Sequence, residues 1–297
     1  MSKLSVCILA YNEEFTIEEC INSVQQQVDV EIEEILIGVN SSIDKTEEIV
    51  LKMAITDKRI KIINSEKGKA IAWNSLNKEA KNILRVFIDG DCKIDKTAVK
   101  SMINLMKKFD ISTVGGTINY INKGNNIISK ILNFPSRLYS PDYHLAGGMY
   151  LLDYNKILMK MNKYGFDEMP IDLIADDRWL ALISEDSQIC RTAHVYTRAC
   201  SITDEINRNI RFKVADKQIR EQYPNIIENR KEDVKKCDLG KLRKEQINDM
   251  GILNRLIYIL ILPFKKILKQ YIKIKCRKLK DDEEFKWEKS MSSRIIE

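Results

Sequence analysis

Histidine is nearly absent from this 297-residue chain: only His144 and His194 occur. Chemistry built on a histidine base therefore has few candidates. Paired cysteines are missing as well. The seven present, Cys7, Cys20, Cys92, Cys190, Cys200, Cys237 and Cys276, are odd in number and never fall in a C-x-x-C pair. Nothing near the N-terminus reads as a signal peptide, so free thiols in a reducing cytoplasm are expected and a zinc site is not. No internal repeat or low-complexity segment interrupts the chain. Negative charge is locally absent: from Lys265 to Lys280 the chain carries Lys265, Lys266, Lys269, Lys273, Lys275, Arg277, Lys278 and Lys280 with no acidic residue between, although the net charge is only +6.

What is present suits a globular protein, with 44% hydrophobic and 31% charged residues. That length can bury a substantial core, as one large domain or as one domain plus an appendage. Leu4–Tyr11 reads as a buried strand ending in the polar Asn12-Glu13-Glu14, and a helix follows with Ile17, Cys20, Ile21 and Val24 at helical spacing. A second strand over Glu34–Val39 runs into the turn Asn40-Ser41-Ser42-Ile43-Asp44 and a helix from Thr46 to Ala54. Ile60–Ile63 is a third strand, and the helix after Gly68 carries Ile71, Trp73 and Leu76. Val86–Ile88 is the fourth strand, with Val99, Met102, Ile103, Met106 and Phe109 as the stripe of the next helix. Such alternation predicts an α/β fold with a mostly parallel, Rossmann-like sheet flanked by helices. Beyond it, strands are expected at Thr113–Ile121, Gly147–Leu152 and Gln188–Arg198, and helices from Asp176 and over Thr203–Ile219.

Asp89 and Asp91 close the fourth strand with Gly90 between them. The C-terminal edge of a sheet is where ligands sit in open α/β folds. Side chains two apart on an extended segment point the same way, and glycine between them admits a ligand close to the backbone. Two hard carboxylate oxygens suit a hydrated Mg²⁺ or Mn²⁺ that also grips a diphosphate. An isolated D-G-D is otherwise an ordinary strand end with an Asp-Gly turn.

Taken in order, AYNEE, NSSIDKT, GKAIAWN, FIDGDCKID, AGGMYLL, ADDRWL and RNIRF (Arg208–Phe212) resemble the motifs of the inverting family-two glycosyltransferases of the A-type nucleotide-diphosphosugar fold. The resemblance covers roughly residues 4 to 215. It implies a catalytic domain over 1–227 and a helical, basic appendage over 228–297, with the charged stretch Glu228–Lys236 at their boundary. It further implies a hexosyltransferase-like enzyme that carries a sugar from a nucleotide diphosphosugar, a UDP-sugar first, to a glycan or lipid-linked acceptor of cell-envelope synthesis. Asp91, with Asp89, corresponds to the metal-binding D-x-D. Asp177 matches the second acid of E-D-x-x-L and is the expected base, with Asp176 beside it to raise one pKa by repulsion. Ala10, Tyr11, Glu13, Asn40, Lys69, Asp89, Arg208 and Arg211 are the expected donor-side residues. Tyr11 would stack on the nucleobase, and Asn40 stands where the family has an aspartate, which weakens the inference of uridine. Gly147, Gly148, Trp179 and Trp73 are acceptor-side candidates, although for both tryptophans ordinary core packing is the preferred reading.

Two other readings share these residues. A sugar-phosphate nucleotidyltransferase has the same broad fold, but AYNEE stands where its glycine-rich first loop would be. A non-catalytic membrane- or nucleic-acid-binding module would use the lysine block alone. No nucleic-acid partner is expected from the first reading, and an oligomer is compatible with it. The apolar run Ile252–Leu268 is too short to cross a bilayer, which takes about 20 residues, and Pro263 would kink a helix there. Followed by lysines, it suits an anionic membrane surface on the inner face of the cell membrane; the alternative is a helix packed on the catalytic domain or on a second subunit, followed by a solvated basic tail.

Overall fold

A computed structural model describes residues 3–121, 131, 145, 148–198, 202–227, 247–248 and 251–278. Strands β1 (Lys3–Ala10), β2 (Glu31–Asn40), β3 (Ile60–Ser65) and β4 (Leu84–Asp89) alternate with helices α1 (Ile17–Gln25), α2 (Thr46–Thr56) and α3 (Lys69–Glu79). There follow β5 (Lys93–Ile94), α4 (Ala98–Phe109), β6 (Thr113–Ile121), β7 (Met149–Asp153), α5 (Tyr154–Lys163), α6 (Asp176–Ser184), β8 (Gln188–Arg198), α7 (Ile202–Gln222) and α8 (Ile252–Lys278). The expected elements are all found. Two elements were not anticipated: the two-residue β5 and helix α5, whose N-cap Asp153 accepts a hydrogen bond from the Lys156 amide. The charged stretch Glu228–Lys236 and His144 lie outside the described residues.

The eight strands run in the order β3-β2-β1-β4-β7-β6-β8-β5. The first four are parallel, through the pairs β3–β2, β2–β1 and β1–β4. Strand β7 then lies antiparallel to β4, with Ile88 opposite Met149, and β6 antiparallel to β7. Strand β5 pairs antiparallel with β8.

Strands β1 and β4 are apolar on both faces because helices cover both. Leu4, Val6 and Ile8 of β1 and Val86 and Ile88 of β4 pack with Ile17, Ile21 and Val24 of α1 and Val99 and Met102 of α4. On the opposite face Phe87 stacks on Trp73 of α3, with ring centroids 5.4 Å apart. A Cβ on Gly38 of β2 would stand 3.1 Å from Leu76 of α3, so glycine there lets the helix settle close to the sheet. Phe109 departs from the expected stripe of α4. It is 50% exposed, because the helix ends there at Asp110 in the left-handed conformation, and Lys108 lies over its ring.

The chain divides into two compact units, residues 1–119 with 143–197, and residues 120–142 with 198–297. Residues 198–227, which the sequence attaches to the first domain, thus group with the C-terminal segment. The four thiols Cys7, Cys20, Cys92 and Cys190 are free and buried.

At the N-terminal edge of the parallel strands a polar network replaces apolar packing. Buried Arg85 donates to the carbonyls of Asn77, Ala80 and Asn82, which closes the C-terminal end of α3. Glu34, also buried, accepts from the Ser5 hydroxyl at 2.8 Å, the Lys81 amide at 2.7 Å and the Lys61 ammonium at 3.3 Å. Burial opposes its charge, but these donors outweigh burial and hold the carboxyl below its usual range. The stability Glu34 supplies is therefore present above the unfolded pKa of about 4.3 and lost as pH falls through the lower folded value. Glu34→Gln is expected to cost about 1–3 kcal/mol at pH 7 and much less near pH 3. Urea midpoints at the two pH values test this; an equal gap at both would refute the charged network.

Candidate active site

The parallel strands deliver Ala10, Asn40 and Asp89 to one sheet edge, since Leu9 stands opposite Asp89, Ala10 opposite Val39 and Asn40 opposite Ser65. The chain leaves β1 and β2 through left-handed residues, Asn12 (φ 54°) and Ser41 (φ 50°). Asparagine and serine tolerate that turn because their short polar side chains bond locally. Here they bond across. The Asn12 amide donates to Ser42 Oγ at 3.0 Å, while Asn12 Oδ1 accepts from the Ile43 amide at 2.9 Å. The Glu13 amide donates to Thr46 Oγ1 at 2.7 Å and the Glu14 amide to Asp44 Oδ2 at 3.1 Å. AYNEE and NSSIDKT therefore form one framework.

Within it, Glu13 is buried and accepts from the Thr16 hydroxyl at 2.7 Å. Tyr11 is half-buried, with the Lys67 ammonium 5.6 Å from its ring centre. Asn40 is buried and its Oδ1 accepts from the Gly68 amide at 2.8 Å. That bond fixes the turn into α3, where Gly68 has φ 151°, a conformation L side chains rarely adopt.

The D-G-D segment differs in two ways from its sequence reading. Strand β4 ends at Asp89, and the Cys92 amide donates to the Asp89 carbonyl at 3.0 Å. The two carboxylates thus belong to a closed turn and not to an extended segment, so strand alternation does not orient them. Nor is the space at Gly90 left for a ligand. A Cβ there would lie 3.0 Å from Glu13 Cγ and 3.2 Å from the Leu9 carbonyl, so the glycine lets the end of β1 press against the turn.

Lys69 joins the distant motifs. Its ammonium lies 2.9 Å from Asp89 Oδ1 and 3.2 Å from Asp176 Oδ1. Burial works against the ammonium, but Asp176, Asp89 and Asp177 outweigh it and hold the pKa above its ordinary value. Asp89 is pushed up to about 6 by burial, with Asp91 and Asp176 adding to the shift and Lys69 opposing it. One turn along α3, Trp73 anchors the helix through the stack Trp73–Phe87–Tyr150, each pair of centroids 5.4 Å apart. Tyr150 in turn donates to Asp176 Oδ2 at 3.5 Å, and its phenol pKa is raised by burial and by Asp176.

Two residues matter here that the sequence did not single out. One is Tyr150, signalled only by its place in AGGMYLL. The other is Asn74, last in GKAIAWN, which donates to the Met169 carbonyl at 2.8 Å and accepts from its amide at 3.1 Å. Helix α3 thus holds both the segment before α6 and the first acid of α6.

Asp177 follows Asp176 in the first turn of α6, and its Oδ1 accepts from the Arg178 amide at 2.9 Å. Trp179 is fully buried, edge-on to Phe166 at 5.5 Å, so it packs in the core and does not face an acceptor. Gly148 is buried as well; a Cβ there would meet Cys92 Sγ at 3.0 Å. Gly147 lies outside the described residues. Arg208 and Arg211 stand on α7 in the second unit, where Arg208 donates to the Tyr120 hydroxyl at 3.0 Å.

No group of three or more His, Cys, Asp or Glu side chains fit to hold a metal ion occurs among the described residues. Asp89 and Asp91 supply two carboxylates at one turn. That is the donor set Mg²⁺ takes when substrate phosphates and water complete its shell, so the residues fit a substrate-shared ion and not an all-protein cage.

A family model described as Glycosyl transferase family 2 matches residues 5–166. The UDP-Glc:alpha-D-GlcNAc-diphosphoundecaprenol beta-1,3-glucosyltransferase WfgD of Escherichia coli is 33% identical over 131 residues, 43% of this chain and 50% of that protein. The chain therefore spans half the length of that relative. Among solved structures, S. aureus TarS 1–349 in complex with UDP-GlcNAc aligns with TM-score 0.50 and 19% identity, over 67% of this chain and 60% of its own. The mannosyltransferase PcManGT from Pyrobaculum calidifontis, in complex with GDP-Man and Mn²⁺, aligns with TM-score 0.55 and 13% identity over 94% and 88%. At these identities the two structures establish the fold alone.

If Lys69 clamps Asp89 and Asp176, its removal leaves the buried Asp176 and the part-exposed Asp89 without a counter-charge, a defect of about 1–3 kcal/mol. Lys69→Met should be destabilised to that order, and Asp176→Asn added to it should recover part of the loss. A double-mutant cycle by urea unfolding is expected to give a coupling above about 1 kcal/mol; additivity would remove the clamp.

Proposed function

Because the chain belongs to glycosyl transferase family 2, we propose that it moves one sugar from a nucleotide diphosphosugar to a hydroxyl of a glycan or lipid-linked acceptor, with inversion at the anomeric carbon. The observation that carries this reading is Lys69, whose single ammonium ties the D-G-D turn to the first acid of A-D-D. A donor-holding element and a base-bearing element are thereby neighbours, as direct displacement requires.

In the proposed reaction the acceptor oxygen attacks the anomeric carbon, the bond from that carbon to the diphosphate oxygen breaks with its electron pair, and the acceptor proton passes to a carboxylate. Asp177 takes the proton. Asp176 is already held by Lys69 and Tyr150, which suits it to fix the start of α6. Asp91 and Asp89 would hold Mg²⁺ or Mn²⁺, which when bound neutralises charge on the leaving diphosphate. Tyr11 and the buried Asn40 line the nucleotide side, and Glu13 and Ala10 shape it. The donor is proposed to be a UDP-sugar. TarS was solved with UDP-GlcNAc and WfgD is named for a UDP-glucose donor, whereas the mannosyltransferase holds GDP-Man with Mn²⁺. A lipid-linked acceptor, as in the name of WfgD, fits a site of action at the inner face of the cell membrane.

Asp177→Asn should bind donor nucleotide within about threefold of wild type while transfer falls roughly 10²–10⁴-fold; loss of transfer in Asp176→Asn with a mild Asp177→Asn would exchange their roles. The nucleotide and the metal are tested together by turnover of UDP-, GDP- and CMP-sugars with Mn²⁺. Asp91→Asn is expected to keep the fold and lose metal-dependent transfer. Turnover untouched both by that substitution and by EDTA on the wild type would exclude the ion.

A further inference from the structure

Helix α8 runs from Ile252 to Lys278 with Pro263 inside it, about 40 Å at 1.5 Å per residue. It packs on α7 within the second unit. Among its described side chains Tyr258 and Lys265 are buried, with Arg255, Ile261, Leu262 and Leu268 half-buried between and beside them. Lys265 is only 8% exposed, so the lysine block begins with an inward residue. The opposite side of the helix is apolar and exposed: Ile252, Leu253, Leu256, Leu260, Ile267 and Ile274 range from 44% to 80%. At about 100° per residue these six fall within one arc of roughly 100°, centred opposite Tyr258 and Lys265. Exposed Lys266, Lys269 and Lys273 stand along one flank between the two faces, and no acidic residue occurs anywhere in α8.

We propose that this face of α8 docks on an anionic lipid surface, lying in the plane of the interface. The apolar arc would enter the acyl boundary while the flanking lysines reach the headgroups. A contiguous exposed apolar stripe marks an interaction site, and three features select lipid as the occupant. Charge is of one sign only, so a second copy docked face to face would set lysine rims of like charge against each other. The uncharged run between Arg255 and Lys265 is far short of a span, and no helix among the described residues is long and apolar enough to cross a membrane. Pro263 also frees the carbonyl of Ile259 from the helical ladder, and that group needs the water of the interface, which the hydrocarbon core lacks. The inference stands on α8 alone and is independent of the transfer reading.

The test is sedimentation of the full chain with phosphatidylglycerol–phosphatidylcholine vesicles and with pure phosphatidylcholine vesicles, at low and high salt. Slow hydrolysis of a nucleotide sugar is followed in parallel. Wild type should bind the anionic vesicles strongly at low salt and the neutral ones weakly. Lys266→Gln, Lys269→Gln and Lys273→Gln together should weaken anionic binding about a hundredfold. Leu256→Asp with Leu260→Asp should abolish it, and both variants should keep hydrolysis, since the positions are exposed and remote in sequence from the site residues. Absent or equal binding to both vesicle types, or unchanged binding by the aspartate variant, would overturn the proposal. So would a stable dimer in light scattering that the aspartate variant dissolves, which would hand the face to a second copy. Vesicle binding without any hydrolysis would sink the transfer reading and leave this one intact.

Discussion

An ammonium held between two carboxylates sets the geometry on which the rest of the site depends. Asp89 and Asp176 come from distant parts of the sequence and would repel one another if Lys69 were elsewhere. Helix α3 puts it there through contacts at successive turns. Gly68 takes a φ of 151° to start the helix, and Asn40 fixes that turn. Trp73 stacks on Phe87 of β4, and Asn74 grips both backbone groups of Met169. A helix fixed at three points in this way has little freedom to carry its lysine off the axis between the acids. Preorganisation of that kind matters because a displacement of about 1 Å at a reacting group can cost a hundredfold in rate.

The acids gathered at this edge are not placed for stability. Asp89 is pushed up to about 6 by burial, with Asp91 and Asp176 adding to it, so the folded state resists ionising it. Such sites persist when the surrounding scaffold supplies the stability they lack. Here the scaffold is the doubly covered pair β1–β4, whose residues are apolar on both faces. The network of Glu34 and Arg85 closes the opposite edge of the same strands. Charge is satisfied at one end of the sheet and left in tension at the other.

The second unit follows a different rule. Helix α8 exposes more large apolar side chains than a solvated helix has reason to show, while its inward stripe includes a lysine. In the first unit apolar residues are drawn to a core, and the buried charges of Glu34 and Arg85 are bonded. In α8 the distribution is reversed, and it suits the lipid surface proposed for that face.

Much of the fold was legible in the chain. Runs such as LSVCILAY and RVFID are apolar without alternation, which marks strands covered on both faces, and the intervening 3.6-residue stripes mark their helices. Helix α5 escaped because Asn, Lys and Met dilute its stripe to Ile157 and Met161. The motif order pointed to the family and to most of the residues near the strand ends. Sequence could not tell that Asp89 and Asp91 belong to a closed turn or that Gly90 makes room for Glu13. Nor could it show that Tyr150 reaches Asp176, which depends on β7 entering antiparallel beside β4. Local propensity and periodicity are written into neighbouring residues, and so the chain alone determined its elements and the edge to which their ends go. Which side chain meets which across that edge is set by strand order and helix seating, and these arise only when distant segments bury one another's apolar faces.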